Sequence, residues 1–375
     1  MAQEQLPRVL ITTAGYGEGH NSAAKGLAQA LDGKAETLVV DLFAEAMPST
    51  FKVTRSGYLW IISRMPALWK LMYDVSDRRN IAEKPIAGLG PVESLLEKTL
   101  ETWKPDFVVS TYMVYPYMLD TIFQRRPELQ IPYITVVTDS IVINKTWICS
   151  NSPLWTVTDN WTRDIMIEKG VPADRICVTK FPVNPKLHEI RQIPISWSEN
   201  DPFRVLYFAQ RSAQFAHSEL TAMLEADERI YITCILGKRF KSIYPKIKEL
   251  RTKFGRRLII RGWTKQVPMY LATHHVVVGK AGGATVHEVL SAARPMLVNF
   301  LLPGQEEGNT QLLEKLGAGR YVATASALAE NLTKMMADNG AEWKSMYDNL
   351  LKANMTNGAR CVADLVLNRL AEKTN

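Results

Sequence analysis

The sequence predicts an α/β protein with two doubly wound, Rossmann-like parallel sheets, and three observations carry that expectation. Short β-branched runs alternate with longer helical stretches along the chain. The pattern resets once, near the middle. At 375 residues, 46% hydrophobic and 22% charged, the chain is long enough for two ordinary domains, each with its own core.

The first half reads as strand RVLITT, helix NSAAKGLAQAL and strand AETLVVD, then helical segments with strands DFVVST, YITVVTD and LWTVTD. The second half restarts with FRVLYFA and continues through IYITCIL, RLIIRG, HHVVVGK and PMLVNF, with helical patterns between them. Prolines and turn formers in IRQIPISWSENDP place a linker near residues 187–202. The expected domains are therefore residues 1–190 and 200–375, with the last stretch, GARCVADLVLNRLAEK, forming a helix free to pack back on the N-terminal domain.

Composition narrows the function. Cys149, Cys177, Cys234 and Cys361 show no CxxC pairing and no secretory leader is evident, so free thiols in a reducing, cytoplasmic compartment are expected. No apolar run reaches the roughly 18 to 20 residues of a membrane span, which leaves only peripheral membrane contact. The net charge of +7 is uneven: residues 236–266 hold eleven bases and one acid, Glu249, and residues 49–70 hold four bases and no acid. Such surfaces attract phosphates of any kind, from nucleotides to anionic lipid, or are simply solvated faces. Within residues 51–73, Trp60, Arg64, Trp69 and Lys70 combine aromatics with bases, as an interfacial helix requires; a core helix pair with a basic rim is the alternative. No nucleic-acid-binding motif is recognisable, so no nucleic-acid partner is expected.

Ligands of doubly wound folds gather where strands run into helix N-termini, and two such loops stand out. In GYGEGHNSAA, Gly15, Gly17 and Gly19 permit a tight turn and close backbone approach, with Asn21 just beyond. The spacing departs from a dinucleotide fingerprint, although Asp41 at the end of the next strand keeps a nicotinamide-binding module in play. His20 stands at the helix start, where the positive end of the dipole favours the neutral imidazole of a general base; a surface histidine is the plainer alternative. The second loop, GKAGGATVHE, turns from strand to helix at Gly282 and Gly283. There the N–H groups of Gly283 and Ala284 and the Thr285 hydroxyl suit phosphate, and Glu288, three residues after Thr285, suits a ribose. PGQEEGNTQ then offers Gln305, Glu306 and Asn309 to sugar hydroxyls.

GKAGGATVHE followed by PGQEEGN resembles the donor-binding region of the inverting GT-B glycosyltransferases that include monogalactosyldiacylglycerol synthase, processive diacylglycerol glucosyltransferase and the peptidoglycan N-acetylglucosaminyltransferase. GYGEGHNSAA, SGYLWIISRMPALWKLMYDVSD, VVSTYMVYPYMLD, YITVVTDS with TW, and RICVTKFPVNP follow the order of the diacylglycerol branch, over roughly residues 8–320. The resemblance implies GT-B architecture, two Rossmann-like domains facing a cleft with the donor on the C-terminal side. It implies His20 as the acceptor-side base or its orienting partner, a surviving catalytic Asp139, Gly17, Gly19 and Asn21 as the acceptor loop, and Glu288 on the ribose. Thr285 and the backbone from Gly282 to Ala284 would hold the diphosphate, and Gln305, Glu306 and Asn309 would face the sugar. RGWT matches the segment that reads uracil, making Trp263 and Thr264 candidates, with Trp263 as plain core packing the other reading.

Four positions depart from the family pattern. The phosphate loop after the first strand of the second domain reads FAQRSAQFAH, without a glycine, so Arg211 and Ser212 would replace the missing N–H nest by a charge-assisted contact. Asn144 stands in the region where the family often has a histidine, Lys180 replaces a glycine in TKFP, and Glu18 replaces one in the first loop. The expected reaction is displacement at an anomeric carbon by a lipid hydroxyl, most simply that of diacylglycerol, inverting an α-linked UDP-hexose to a β-glycoside. The expected partners are thus a UDP-hexose, a lipid acceptor and an anionic membrane surface. No DxD pair or histidine cluster suggests a metal site, so no metal or other cofactor is expected. A nucleotide-binding module without turnover, and a transferase for another acceptor, remain the competing readings.

Overall fold

The computed structural model describes residues 6–65, 68, 71, 88–304 and 306–374. The chain divides into two compact units: residues 1–185, 302–308 and 357–375 form the first, and residues 186–301 and 309–356 the second.

Among the described residues, the first unit holds a six-stranded parallel sheet of β1 (Arg8–Thr12), β2 (Glu36–Val40), β3 (Phe107–Ser110), β4 (Tyr133–Val136), β5 (Trp155–Val157) and β6 (Ile176–Val178). Its order is β2-β1-β3-β4-β5-β6, with Leu10 of β1 in register with Leu38 and Val108. Successive side chains of β1 face opposite layers, as the two-residue period of a strand requires. Val9 and Ile11 pack with Ala24, Leu27 and Leu31 and with Val362, Ala363 and Val366 of the helix Gly358–Thr374. Leu10 packs instead with Val92, Leu96, Leu119 and Ile122. The last helix of the chain thus completes a core whose first strand begins at residue 8.

The second unit repeats the plan with β7 (Phe203–Phe208), β8 (Ile230–Ile235), β9 (Leu258–Arg261), β10 (Val276–Lys280), β11 (Met296–Phe300) and β12 (Gly319–Tyr321), in the order β12-β11-β10-β7-β8-β9. Val205, Tyr207, Ile232 and Cys234 pack with Leu220, Met223, Ile243 and Ile247.

Two expectations change. The stretch expected as a linker is a packed part of the second unit. The units divide after Pro185, the helix Lys186–Arg191 follows at once, and buried Arg191 donates from Nη2 to the carbonyls of Leu350 and Leu351 at 2.7 and 2.8 Å. Strands β6 and β12 were not anticipated: each has three residues at a sheet edge, too short for an alternating pattern to register.

The strand orders fix where ligands can go. In the first sheet the order of strand addition reverses between β1 and β3, and in the second between β7 and β10. The loops leaving those four strands flank the two topological switch points, where doubly wound sheets bind their ligands.

Candidate active site

In the first unit, the loops after β1 and β3 meet on His20. The helix begins at Glu18, not at Asn21 as the pattern suggested, so His20 falls in its first turn and turns inward. It is only 5% exposed, which removes the surface-histidine reading. Nδ1 lies 2.9 Å from the Thr111 carbonyl oxygen and 2.8 Å from the Thr138 hydroxyl. A carbonyl can only accept, so Nδ1 carries the proton and Nε2 keeps its lone pair. Burial holds the imidazole pKa down at about 4, partly offset by the Thr111 hydrogen bond, so the ring is neutral at physiological pH. Gly17 passes beside the Nε2 edge of the ring: a Cβ there would make ordinary contact, 3.7 Å from Cδ2 and 3.9 Å from Nε2. Glu18 beside it is exposed in the first helical turn, where a negative charge meets the positive end of the dipole.

Asp41 and Asn21 hold this loop in place. Asp41 accepts the Gly15 N–H at 2.7 Å through one oxygen and caps the next helix at Ala44 through the other. Both oxygens are engaged on the backbone, so the ribose role in a dinucleotide site is filled by loop-holding instead. Asn21 accepts from the Thr13 hydroxyl at 3.1 Å.

Asp139 reaches the site through Trp147. The Trp147 indole donates to Asp139 at 2.8 Å, and its ring lies 5.9 Å from the His20 ring, centroid to centroid. The Asp139 carboxyl is buried, which raises its pKa to about 6 despite the indole hydrogen bond. Asn144 sets Trp147: its side-chain oxygen accepts both the N–H and the hydroxyl of Thr146, capping the turn Lys145–Trp147. Beyond Asp139, buried Ile141 has φ +60, a left-handed conformation costly for a β-branched residue. Thr162 accepts the Ile141 N–H at 2.9 Å, and the Ser140 and Thr158 hydroxyls lie 2.9 Å apart. A Cβ at Gly308 would fall on the Ser140 carbonyl oxygen, so only glycine fits there.

In the second unit, the loops after β7 and β10 flank the other switch point. The register of β10 against β11 shifts at Gly279/Lys280, and the chain then turns into the helix Gly283–Ser291 with Gly282 as its N-cap. Its first intrahelical hydrogen bond is Val286 to Gly282, so the N–H groups of Gly283, Ala284 and Thr285 have no helical partner and suit an anion. Glu288 is half-buried on the same helix. Both backbone groups of Ala281 are anchored, the N–H on Phe300 and the carbonyl by the Asn309 amide at 2.9 Å, which rigidifies the turn.

The glycine-free loop is built on a buried acid that the sequence did not flag. Glu219, 1% exposed on the helix Ala213–Ala226, accepts from Tyr207 and Asn299 at 2.7 Å each and from Arg211 at 3.2 Å. The Arg211 guanidinium also lies 3.5 Å from the Phe215 ring centroid. Ser212 is exposed and N-caps that helix without using its side chain for a cap hydrogen bond.

Other expected positions fall differently. Trp263 is 62% exposed, which excludes core packing, and Thr264 accepts the Gln266 N–H at 3.0 Å. Glu306 is buried in the first unit and accepts the Leu302 N–H at 3.0 Å, while Asn309, in the second unit, is buried beneath Ala281. Each side chain thus makes an internal hydrogen bond, while Asn309 Oδ1 is buried without a partner among the described residues. Trp60 and Arg64 lie on the helix Pro48–Arg64 with side chains outside the description, and Trp69, Lys70 and Gln305 lie outside the described residues.

Two Rossmann-type units, each with its own switch point, give this chain the GT-B fold. MurG of Acinetobacter baumannii superposes with a TM-score of 0.63 at 16% identity, over 96% of this chain and 99% of that one. Arabidopsis thaliana UGT89C1 complexed with UDP-L-rhamnose superposes with a TM-score of 0.60 at 15% identity, over 99% of both chains. More narrowly, residues 20–183 match the monogalactosyldiacylglycerol (MGDG) synthase family model, and residues 209–362 match that of the glycosyltransferase family 28 C-terminal domain. The chain's relatives include proteins named processive diacylglycerol beta-glucosyltransferase. That of Bacillus subtilis strain 168 is 23% identical over 96% of this chain and 94% of its own length, and that of Staphylococcus epidermidis 26% identical over 99% and 95%.

Proposed function

We propose that this glycosyltransferase moves a hexose from a UDP-sugar to a hydroxyl of diacylglycerol, with inversion to a β-glycoside, while peripherally bound at the inner face of the membrane. The observation that carries the reading is His20: a buried, neutral imidazole whose Nδ1 is fixed as donor, which leaves the Nε2 lone pair to accept a proton. In the proposed step, Nε2 takes the proton of the acceptor hydroxyl, the oxygen attacks the anomeric carbon, and the bond from that carbon to the diphosphate breaks. Asp139 would stabilise the imidazolium through the low-dielectric space it shares with Trp147. The N–H groups of Gly283 to Thr285 and the Arg211 guanidinium would take the charge of the leaving UDP without a metal ion, and Glu288 would hold its ribose. Trp263 and Thr264 would read the uracil. The names of the relatives support the lipid acceptor.

The test is UDP release from UDP-glucose, UDP-galactose and UDP-N-acetylglucosamine, each with and without diacylglycerol in anionic liposomes, in EDTA. Diacylglycerol-dependent release from one donor supports the reading and names the sugar. UDP binding without release on any lipid acceptor would instead support a nucleotide-binding module that has lost transfer.

A further inference from the structure

The second unit carries a basic face that neither half of the site uses. On the helix Phe240–Phe254, Ile243, Ile247, Leu250 and Phe254 are buried, which turns Lys241 and Lys248, two turns apart, directly outward and Arg251 to one flank. Lys241, Lys246, Lys248, Arg251 and Arg256 are all exposed and form no ion pair among the described residues, whereas neighbouring Lys253 and Arg229 are paired with Glu225 and Asp227. Glu249, the one acid among them, lies 3.4 Å from His217. The adjoining edge strand β9 points Ile259, 43% exposed, and Arg261 to solvent, and Phe240, 37% exposed, starts the helix against Gly262.

We propose that this face is an electrostatic docking surface for an anionic lipid bilayer, independent of the segment around Trp60. Unpaired cations on an amphipathic helix are costly to cluster unless a negative surface neutralises them, and each base near such a surface strengthens binding roughly five-fold, ~1 kcal/mol. The charges form a stripe of lysines and arginines with a few exposed apolar side chains at its margin, which matches headgroups and the acyl boundary. The choice of a bilayer over another polyanion rests on the lipid acceptor proposed above; the surface itself does not.

The full-length protein, without substrates, is sedimented with vesicles of phosphatidylcholine alone or mixed with phosphatidylglycerol, and its UDP affinity is measured in parallel. Binding is expected only to the anionic vesicles and should weaken steeply with salt. The triple variant K241E/K248E/R251E should lose at least 100-fold of that binding with UDP affinity unchanged, and Glu249→Lys should gain several-fold. Wild-type partitioning of the triple variant, equal binding to neutral vesicles, or tighter binding to duplex RNA than to anionic vesicles would overturn the proposal. Failure of transfer on every lipid with vesicle binding intact would refute the proposed reaction and leave this surface standing.

Discussion

Replacing Asp139 by Asn should make the protein more stable at alkaline pH than at acid pH, relative to wild type. Burial moves the Asp139 carboxyl from 3.8 in the unfolded chain to about 6 in the fold. The folded state therefore binds a proton more readily between those values, and stability falls as pH rises through that window. The penalty of keeping the carboxylate ionised is about 3 kcal/mol at pH 8 and about 2 kcal/mol at pH 5, by linkage. Asn preserves an acceptor for the Trp147 indole and removes the charge, while its new amide protons cost about 1–3 kcal/mol if they find no partner. That cost does not depend on pH. The contrast between the two pH values, about 1 kcal/mol in favour of Asn at pH 8, is therefore the quantity to measure. Urea denaturation of both proteins at pH 5 and pH 8 supplies it. An identical stability difference at both pH values, or a larger gain for Asn at pH 5, would refute the buried-carboxylate argument.

Other expectations follow from the same geometry. His20→Gln should lower transfer by roughly 10²- to 10⁴-fold while leaving UDP affinity intact in an equilibrium titration. Because the folded pKa of His20 is lowered from 6.5 to about 4, its unfolded state binds the extra proton in that range. The variant should consequently lose less stability than wild type as pH falls from 6.5 to 4, seen in thermal melts. Lys180 sits at φ +68 in TKFP, so Lys180→Gly should raise stability by about 0.5–1 kcal/mol, a small upward shift of the melting midpoint. Glu219→Ala strands the Tyr207 hydroxyl, the Asn299 amide and Arg211; it should cost about 3 kcal/mol or more and weaken UDP relative to uridine in calorimetric titrations.

The long buried strands were legible because parallel strands covered on both faces read as apolar β-branched runs, as β3 and β10 do. His20 stands out in the sequence by its place after a glycine-rich turn. Its partners were not: Thr111 and Thr138 lie 91 and 118 residues away, and a backbone carbonyl leaves no residue-type signature. Glu219 escaped for a similar reason. In sequence it is one acid in an ordinary helix, and only the fold shows that Tyr207, Arg211 and Asn299 all converge on it. Glu306 and Asn309 stand in a loop whose polar side chains read as sugar-facing, and the sequence does not show that they also, respectively, accept the Leu302 N–H and donate to the Ala281 carbonyl.

Val362, Ala363 and Val366 share a hydrophobic cluster with Val9, Ile11 and Leu27, so the core begun by the first strand closes only with the last helix. During synthesis the first sheet must wait, with one apolar face covered only in part by its first helix, while the entire second unit emerges from the ribosome. A ribosome-bound chain lacking its last twenty residues is thus a natural client for chaperones. For the same reason, cutting the gene at an apparent domain boundary would yield an N-terminal half that aggregates, however well the C-terminal half behaves.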